Sequence, residues 1–346
     1  MTEARQRRWH AALEAAARLQ PVARGTQPRR LLASQGPFRL YRYTPERETT
    51  APPVLLVYSL VNRPDLLDLA PGTSLVADLL AAGAPVYLVD WGYPTLADGV
   101  LDLEDYVTDF LQRAYRIAAA DAGRTPLLAG VCQGGTLSLM LAARLRERIP
   151  AVALIAAPVD FHAGAGLLSR LARCWPMPVD KAAPGLISGD RLTAGFMALR
   201  PADLLLRRYL PLPDMADDSA ALETFLRMEA WMYDCPDQPA PMFHRFLQEC
   251  YLDNALHQGQ MLLAGETVQL STVDSALLNV YACEDHLVPP ESSLALRAMK
   301  EPAGRLRYAE LELPGGHLGL FLSRRNRRKL VDAILTHAQK HLCRTG

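Results

Sequence analysis

The stretch Leu127-Leu128-Ala129-Gly130-Val131-Cys132-Gln133-Gly134-Gly135-Thr136-Leu137 decides the fold. An apolar run of strand type, Leu127 to Val131, ends in GxCxGG and passes directly into helix-forming sequence, Gly134 to Glu147. This is the strand-turn-helix signature of a nucleophile elbow, with cysteine in place of serine. The turn is tight, so the small residues two before and two after the nucleophile keep the turn clear of its neighbours. Cys132 is then placed at a helix N-terminus, where the dipole and free N–H groups favour a thiolate, and the N–H of Gln133 supplies half of an oxyanion hole.

Outward from the elbow, short apolar β-rich runs alternate with helical stretches, the pattern of a parallel sheet with crossover helices. The expected strands are Phe38 to Tyr43, Val54 to Tyr58, Val86 to Asp90, Leu127 to Val131 and Val152 to Ala156. Helices are expected at Ser74 to Ala82, Leu103 to Ala122 and Gly134 to Glu147. From Pro158 the alternation stops, and Leu, Met, Trp, Pro and paired Arg dominate. Two further strands, Leu277 to Ala282 and Arg307 to Leu313, then flank a helix at Leu294 to Met299, and Arg328 to His341 closes the chain. The expected architecture is an N-terminal helical segment (1–37), an α/β core (38–157 and 266–346) and a mainly helical cap insertion (158–265).

In such a fold the acid and the histidine follow the nucleophile, each in a loop beyond a late strand. Cys283-Glu284-Asp285-His286 follows one such strand, and Pro314-Gly315-Gly316-His317-Leu318-Gly319 follows the other. The order Cys132, Asp285, His317 is satisfied, with Glu284, His286 and Asp160 as rivals. Glycines around His317 suit a loop that carries an imidazole over the sheet edge. The loop Ser59-Leu60-Val61-Asn62-Arg63-Pro64 offers the second oxyanion N–H from Val61 or Asn62, and Asp90-Trp91-Gly92 reads as loop-shaping.

The 346 residues carry 37 basic and 37 acidic side chains, a formal net charge of zero, which argues against a nucleic-acid footprint. No apolar run reaches the roughly 18 residues of a membrane span, and the first twenty residues lack a signal-type apolar core, so a cytoplasmic protein is expected. Six cysteines without CxxC pairs or zinc spacing predict neither disulfides nor a metal site. A thiolate that attacks a thioester yields another thioester, so the acyl group keeps its activation for transfer to a hydroxyl. Cysteine at the elbow therefore suggests acyl transfer from a thioester to an alcohol.

The segments SLVNRPDLLDL (59–69), VYLVDWGYP (86–94), GVCQGG (130–135), RMEAWMYDCPDQ (227–238), DHLVPPESS (285–293) and GGHLG (315–319) together resemble the catalytic subunits of polyhydroxyalkanoate synthases, in particular the short class III type. The resemblance implies an α/β-hydrolase core with a cap and polymerisation of (R)-3-hydroxyacyl-CoA, such as 3-hydroxybutyryl-CoA, with release of CoA. CoA thioester is then the substrate, and no cofactor is implied. By the same resemblance Cys132 holds the growing chain and His317 deprotonates it. Asp285 either orients His317 or helps to activate the 3-hydroxyl of the incoming unit. A second, non-catalytic subunit, a homodimer and residence on cytoplasmic polyester granules are also implied. The class IV type, of similar length with a different partner, ranks second. Outside the family stand a dienelactone-hydrolase-like or thioester hydrolase and a non-catalytic granule protein. The first is a shorter chain without the insertion, and the intact Cys132, Asp285, His317 set opposes the second.

Overall fold

The computed structural model describes residues 2–47, 49–145, 149–298 and 307–342. Eight strands form one sheet: β1 (Arg30–Gln35), β2 (Phe38–Tyr43), β3 (Val54–Val57), β4 (Val86–Asp90), β5 (Leu127–Val131), β6 (Ala151–Ile155), β7 (Ala276–Ala282) and β8 (Tyr308–Leu313). Their order is β1-β2-β4-β3-β5-β6-β7-β8. β2 runs antiparallel to both neighbours, and all pairings from β4 to β8 are parallel.

The strands from β3 to β7 are buried on both faces, which explains why they read as continuous apolar runs rather than alternating ones. Successive side chains still alternate between two cores. Leu55, Val57, Leu128, Val152 and Leu154 join one apolar cluster, whereas Val54, Leu56, Leu127, Ala129 and Val131 join the other. Helices α1 (Glu3–Leu19), α2 (Leu75–Ala81), α3 (Gln112–Ala122) and α4 (Gln133–Arg144) precede β6 or lead up to it. Leu75 and Leu79 of α2 pack in the second cluster, and Leu137 and Leu141 of α4 pack in the first.

Between β6 and β7 lie α5 (Leu167–Arg173), α6 (Gly189–Leu199), α7 (Ser219–Met232) and α8 (Ala240–Phe246), joined by 3-10 and π turns and two-residue ladders. After β7 come α9 (Pro290–Ala298), α10 (Gly319–Leu322) and α11 (Arg324–Leu342). Leu330 and Ile334 of α11 cover the same sheet face as α2.

Three expectations need correction. The N-terminal segment is helical only over Glu3–Leu19, because Arg30–Gln35 adds an edge strand to the sheet. That strand exposes half its residues, and its apolar run is only the three residues Leu31, Leu32 and Ala33. The helix expected over Leu103 to Ala122 is wider over Asp105–Leu111, a π segment, before α3 begins. Ser74 is not the first residue of its helix but the cap of α2, its hydroxyl accepting from Ala77 N–H. The ends of two expected helices, Glu147 and Met299, lie outside the described residues, as does Cys343.

Candidate active site

The sharp turn after β5 forms because its neighbours have no side chains in the way. A Cβ on Gly130 would come within 2.4 Å of Gly135 Cα, and one on Gly134 within 2.3 Å of the Val57 carbonyl oxygen. Cys132 takes φ 52° and ψ −126° at the cap of α4, a strained conformation for a residue with a side chain. Its N–H donates to the Ile155 carbonyl at 2.9 Å, and its carbonyl accepts from Gly135 and Thr136.

Asp285 and His317 follow β7 and β8, neighbours in the sheet, and the two loops are zipped together beyond the strands. Cys283 N–H donates to Leu313 O and Glu284 N–H to Gly315 O, each at 3.0 Å. Asp285 Oδ2 lies 2.6 Å from His317 Nδ1, while its Oδ1 accepts from the N–H groups of Leu287 at 2.9 Å and Val288 at 3.0 Å. Both carboxylate oxygens are thus engaged in orienting the ring and the loop. Cys132 lines the same cavity as this imidazole, and its sulfur contributes to the ring's electrostatics.

The electrostatics follow from burial against charge. Burial raises the Asp285 pKa, but the His317 ring and two backbone N–H groups outweigh this and hold the carboxyl below its ordinary range. Burial lowers His317, yet Asp285 and the Cys132 sulfur hold it well above the usual histidine range. Tyr58, buried, and Tyr251, half-buried, are pushed up by desolvation and then by the neighbouring Cys132 sulfur, so their phenols stay neutral.

The loop after β3 is locked by side chains that the sequence did not flag as a unit. Arg63 is buried and reaches Asp90 Oδ2 at 2.5 Å and Gly92 O at 3.0 Å. Trp91 Nε1 donates to Tyr58 O at 2.9 Å, which fits the loop-shaping reading of the DWG segment. From the cap, Trp231 Nε1 donates to Arg63 O at 2.7 Å, and Asn62 Nδ2 donates to Trp231 O at 3.1 Å. The Val61 N–H donates to Ser59 Oγ at 3.0 Å, and Gln133 Oε1 accepts from Leu60 N–H at 3.1 Å. The Gln133 N–H belongs to the first turn of α4, whose donors have no intrahelical acceptor.

Of the rivals, Glu284 is exposed, and Asp160 accepts from His162 and Ala163 N–H and from Asn254 at the entry to the cap. Cys283 is exposed. His286 does line the cavity, and burial followed by the charge of Arg200 lowers its pKa. That cavity, about 410 Å³, reaches Cys132, Gln133 and His317 from the core and takes most of its remaining wall from the cap, including Trp175, Phe196, Trp231, Phe243 and Tyr251. Sequence reading missed this wall; the aromatic density of RMEAWMYDCPDQ was its one local signal. Among the described residues, no group of three or more His, Cys, Asp or Glu is placed to hold a metal ion, and no helix is long and apolar enough to cross a membrane.

A family model described as alpha/beta hydrolase fold matches residues 52–323. The chain is 36% identical over 315 residues to the poly(3-hydroxyalkanoate) polymerase subunit PhaC of Allochromatium vinosum, covering 90% of this chain and 88% of that protein. The corresponding subunit of a Synechocystis species is 39% identical over 320 residues, covering 90% and 84%. Among solved structures, the thioesterase domain from the curacin biosynthetic pathway aligns over 90% of this chain and 99% of that chain, with 16% identity and a TM-score of 0.51. The esterase domain of a Rhodothermus marinus protein aligns over 91% and 100%, with 14% identity and a TM-score of 0.50. At such identities the structural likeness speaks for the fold.

Proposed function

The chain belongs to the family of poly(3-hydroxyalkanoate) polymerase subunits PhaC, built on the alpha/beta hydrolase fold; it is a polyhydroxyalkanoate synthase, and we propose that it grows the polyester on Cys132. The observation that carries this reading is the Cys132 thiol beside an imidazole held by the buried Asp285.

In the proposed cycle His317 accepts the thiol proton and the sulfur attacks the thioester carbonyl of (R)-3-hydroxyacyl-CoA. Negative charge gathers on the carbonyl oxygen, which the N–H groups of Gln133 and Val61 stabilise, the latter turning from Ser59 Oγ. The carbon–sulfur bond to CoA breaks, CoA leaves with the proton from His317, and the acyl group stays on Cys132. For elongation, the 3-hydroxyl of one unit loses its proton to His317 and attacks the thioester of the other; the carbon–sulfur bond breaks as the ester forms, and the expelled thiolate takes the proton back from His317. Asp285 keeps the ring oriented and stabilises its charged form. A thioester keeps enough activation for this transfer, whereas an oxoester would not, and the apolar cavity limits the competing attack by water.

We assign residues 38–157 and 266–346 to the catalytic core and 158–265 to the cap, with CoA thioester as substrate. Family membership supports the finer reading of a class III enzyme that acts on short 3-hydroxyacyl groups. In that reading it forms a homodimer, works with a second non-catalytic subunit and resides on cytoplasmic polyester granules. The test is to supply purified protein and its partner subunit with 3-hydroxybutyryl-CoA. We expect CoA release with insoluble polymer, and Cys132→Ala should lower both at least about 10³-fold without shifting the unfolding midpoint. A fully active Cys132→Ala protein would overturn the covalent mechanism, and free 3-hydroxybutyrate as sole product would replace transfer by hydrolysis. No CoA release would leave the non-catalytic reading.

A further inference from the structure

Among the polar side chains of the cavity wall that are at least nine-tenths buried, Ser59 bonds to Gln133, Trp231 donates to Arg63 O and His317 meets Asp285. The Gln238 amide nitrogen has no partner but is sealed off from the open space. Tyr58 differs from all of them. It is 5% exposed and lines the cavity, and among the described residues its hydroxyl has no hydrogen-bond partner. Nor is that hydroxyl enclosed, as the unpartnered Tyr106 hydroxyl is, so it opens onto the cavity.

The sheet fixes this tyrosine beside the nucleophile. The β3–β5 pairing ends on Val57 opposite Gly130, so Tyr58 stands beside Val131, one residue before Cys132. Its carbonyl lies against the elbow, 2.5 Å from where a Cβ on Gly134 would sit, and accepts from Trp91 Nε1 at 2.9 Å. Its ring shares an apolar cluster with Val131 and Trp231, against which Cys132 also packs. Burial and the nearby Cys132 sulfur keep the phenol protonated, and so a donor. A buried O–H without an acceptor is unfavourable until a ligand supplies one. On the polymerase reading above, on which this inference rests, the occupant of the cavity is an acyl chain whose third carbon bears an oxygen, four bonds from the Cys132 sulfur. That oxygen is a hydroxyl in the first unit and part of an ester in a grown chain, and it accepts a hydrogen bond in either form. A plain fatty acyl group offers only carbon and hydrogen there. A phenol rooted on the neighbouring strand, beside the sulfur yet not bonded to it, suits that separation. We propose that Tyr58 is a specificity-determining residue, its phenol donating a hydrogen bond to the third-carbon oxygen of the acyl chain held on Cys132 and so favouring oxygenated acyl groups over plain ones. Tyr251, the other phenol near Cys132, is half-buried and carried by the π turn Leu247–Leu252 of the cap, whereas Tyr58 is fixed to the sheet that positions the nucleophile.

The experiment compares 3-hydroxybutyryl-CoA with butyryl-CoA, each able to acylate Cys132 with release of one CoA, in the full-length protein with its partner subunit. CoA release in the first turnover is measured for the wild type, for Tyr58→Phe, which removes only the hydroxyl, and for Tyr251→Phe. In Tyr58→Phe the preference for the hydroxyacyl substrate should fall about tenfold to a hundredfold through the hydroxyacyl rate. The unfolding midpoint should stay where it is, because the hydroxyl holds nothing within the protein. Tyr251→Phe should keep the preference. Equal losses on both substrates, an unchanged preference in Tyr58→Phe, or a loss of preference in Tyr251→Phe that matches or exceeds it would each overturn the proposal. A wild type that releases CoA from neither substrate would instead sink the polymerase reading, and this inference with it.

Discussion

At Cys132 a strained backbone, a helix N-terminus and an imidazole converge on one sulfur. In the proposed cycle His317 accepts its proton, and the contact with Asp285 that holds the ring on its other side leaves a pH signature on stability. The carboxyl is held below its ordinary 3.8, so its contribution is present above that value and lost as pH falls through the depressed one. The imidazole is held well above its ordinary 6.5, so its contribution is full below that value and lost as pH rises through the raised one. The stability gap between wild type and His317→Gln should therefore be widest between about pH 4 and 6.5 and close toward alkaline pH. Denaturant titrations across pH measure this; a gap that widens with pH would show that the pair is not held charged. Cys132, Asp285 and His317 stood out as candidates in the sequence because each sits in a short loop motif after an apolar strand, and the fold sets Asp285 against His317 and lines one cavity with His317 and Cys132. His286, one residue from Asp285, was set aside as a base, and its place in the cavity wall became visible only once the cap was folded over it.

At the scale of elements, the elbow works because β3, β5 and α4 approach more closely than side chains allow. Gly134 lies against backbone, with both Val57 O and Tyr58 O inside 2.6 Å of a built Cβ, so neither neighbour can move aside like a flexible side chain. Gly134→Ala should cost about 2–4 kcal/mol and displace the thiol, lowering CoA release more than the loss of folded protein explains. Calorimetry together with a rate per folded molecule separates the two effects, and an unshifted unfolding midpoint would contradict the packing argument. The parallel strands were readable since burial on both faces selects continuous apolar runs. The edge strand Arg30–Gln35 was not, because a half-exposed strand needs only the short run Leu31-Leu32-Ala33, too brief to mark a strand beside Arg-rich sequence. The π segment Asp105–Leu111 was equally hidden, as its apolar residues keep a helical spacing while the wider turn is a property of the hydrogen bonds.

Across the whole molecule, cap, N-terminal segment and core meet at one buried guanidinium. Arg227 of α7 donates through Nη1 to the carbonyls of Ala23 at 2.8 Å and Leu69 at 3.2 Å, while Nε and Nη2 bind Glu223. The N-terminal helix adds an apolar contact, Ala12 packing with Leu212, Leu222 and Leu226 of the cap. Asp68 completes the junction by accepting from Thr26 N–H at 2.7 Å and Gln27 N–H at 2.9 Å. Arg227→Met should remove about 2–4 kcal/mol and loosen residues 20–30 first. Hydrogen exchange resolved along the chain checks this: uniform protection loss, or none at that segment, would count against the junction.

The sequence by itself determined the strand-turn-helix elbow, the order of Cys132, Asp285 and His317 in loops after apolar strands, and the insertion between two halves of an α/β core. Those features are local: a tight turn needs its glycines, and buried strands need apolar runs, whatever lies beyond. Tertiary structure alone decided that Arg63 and Asp90 lock the loop after β3 and that Arg227 joins three segments. Such contacts join residues far apart in the chain, and neither periodicity nor spacing carries information about which distant backbone group a side chain will reach.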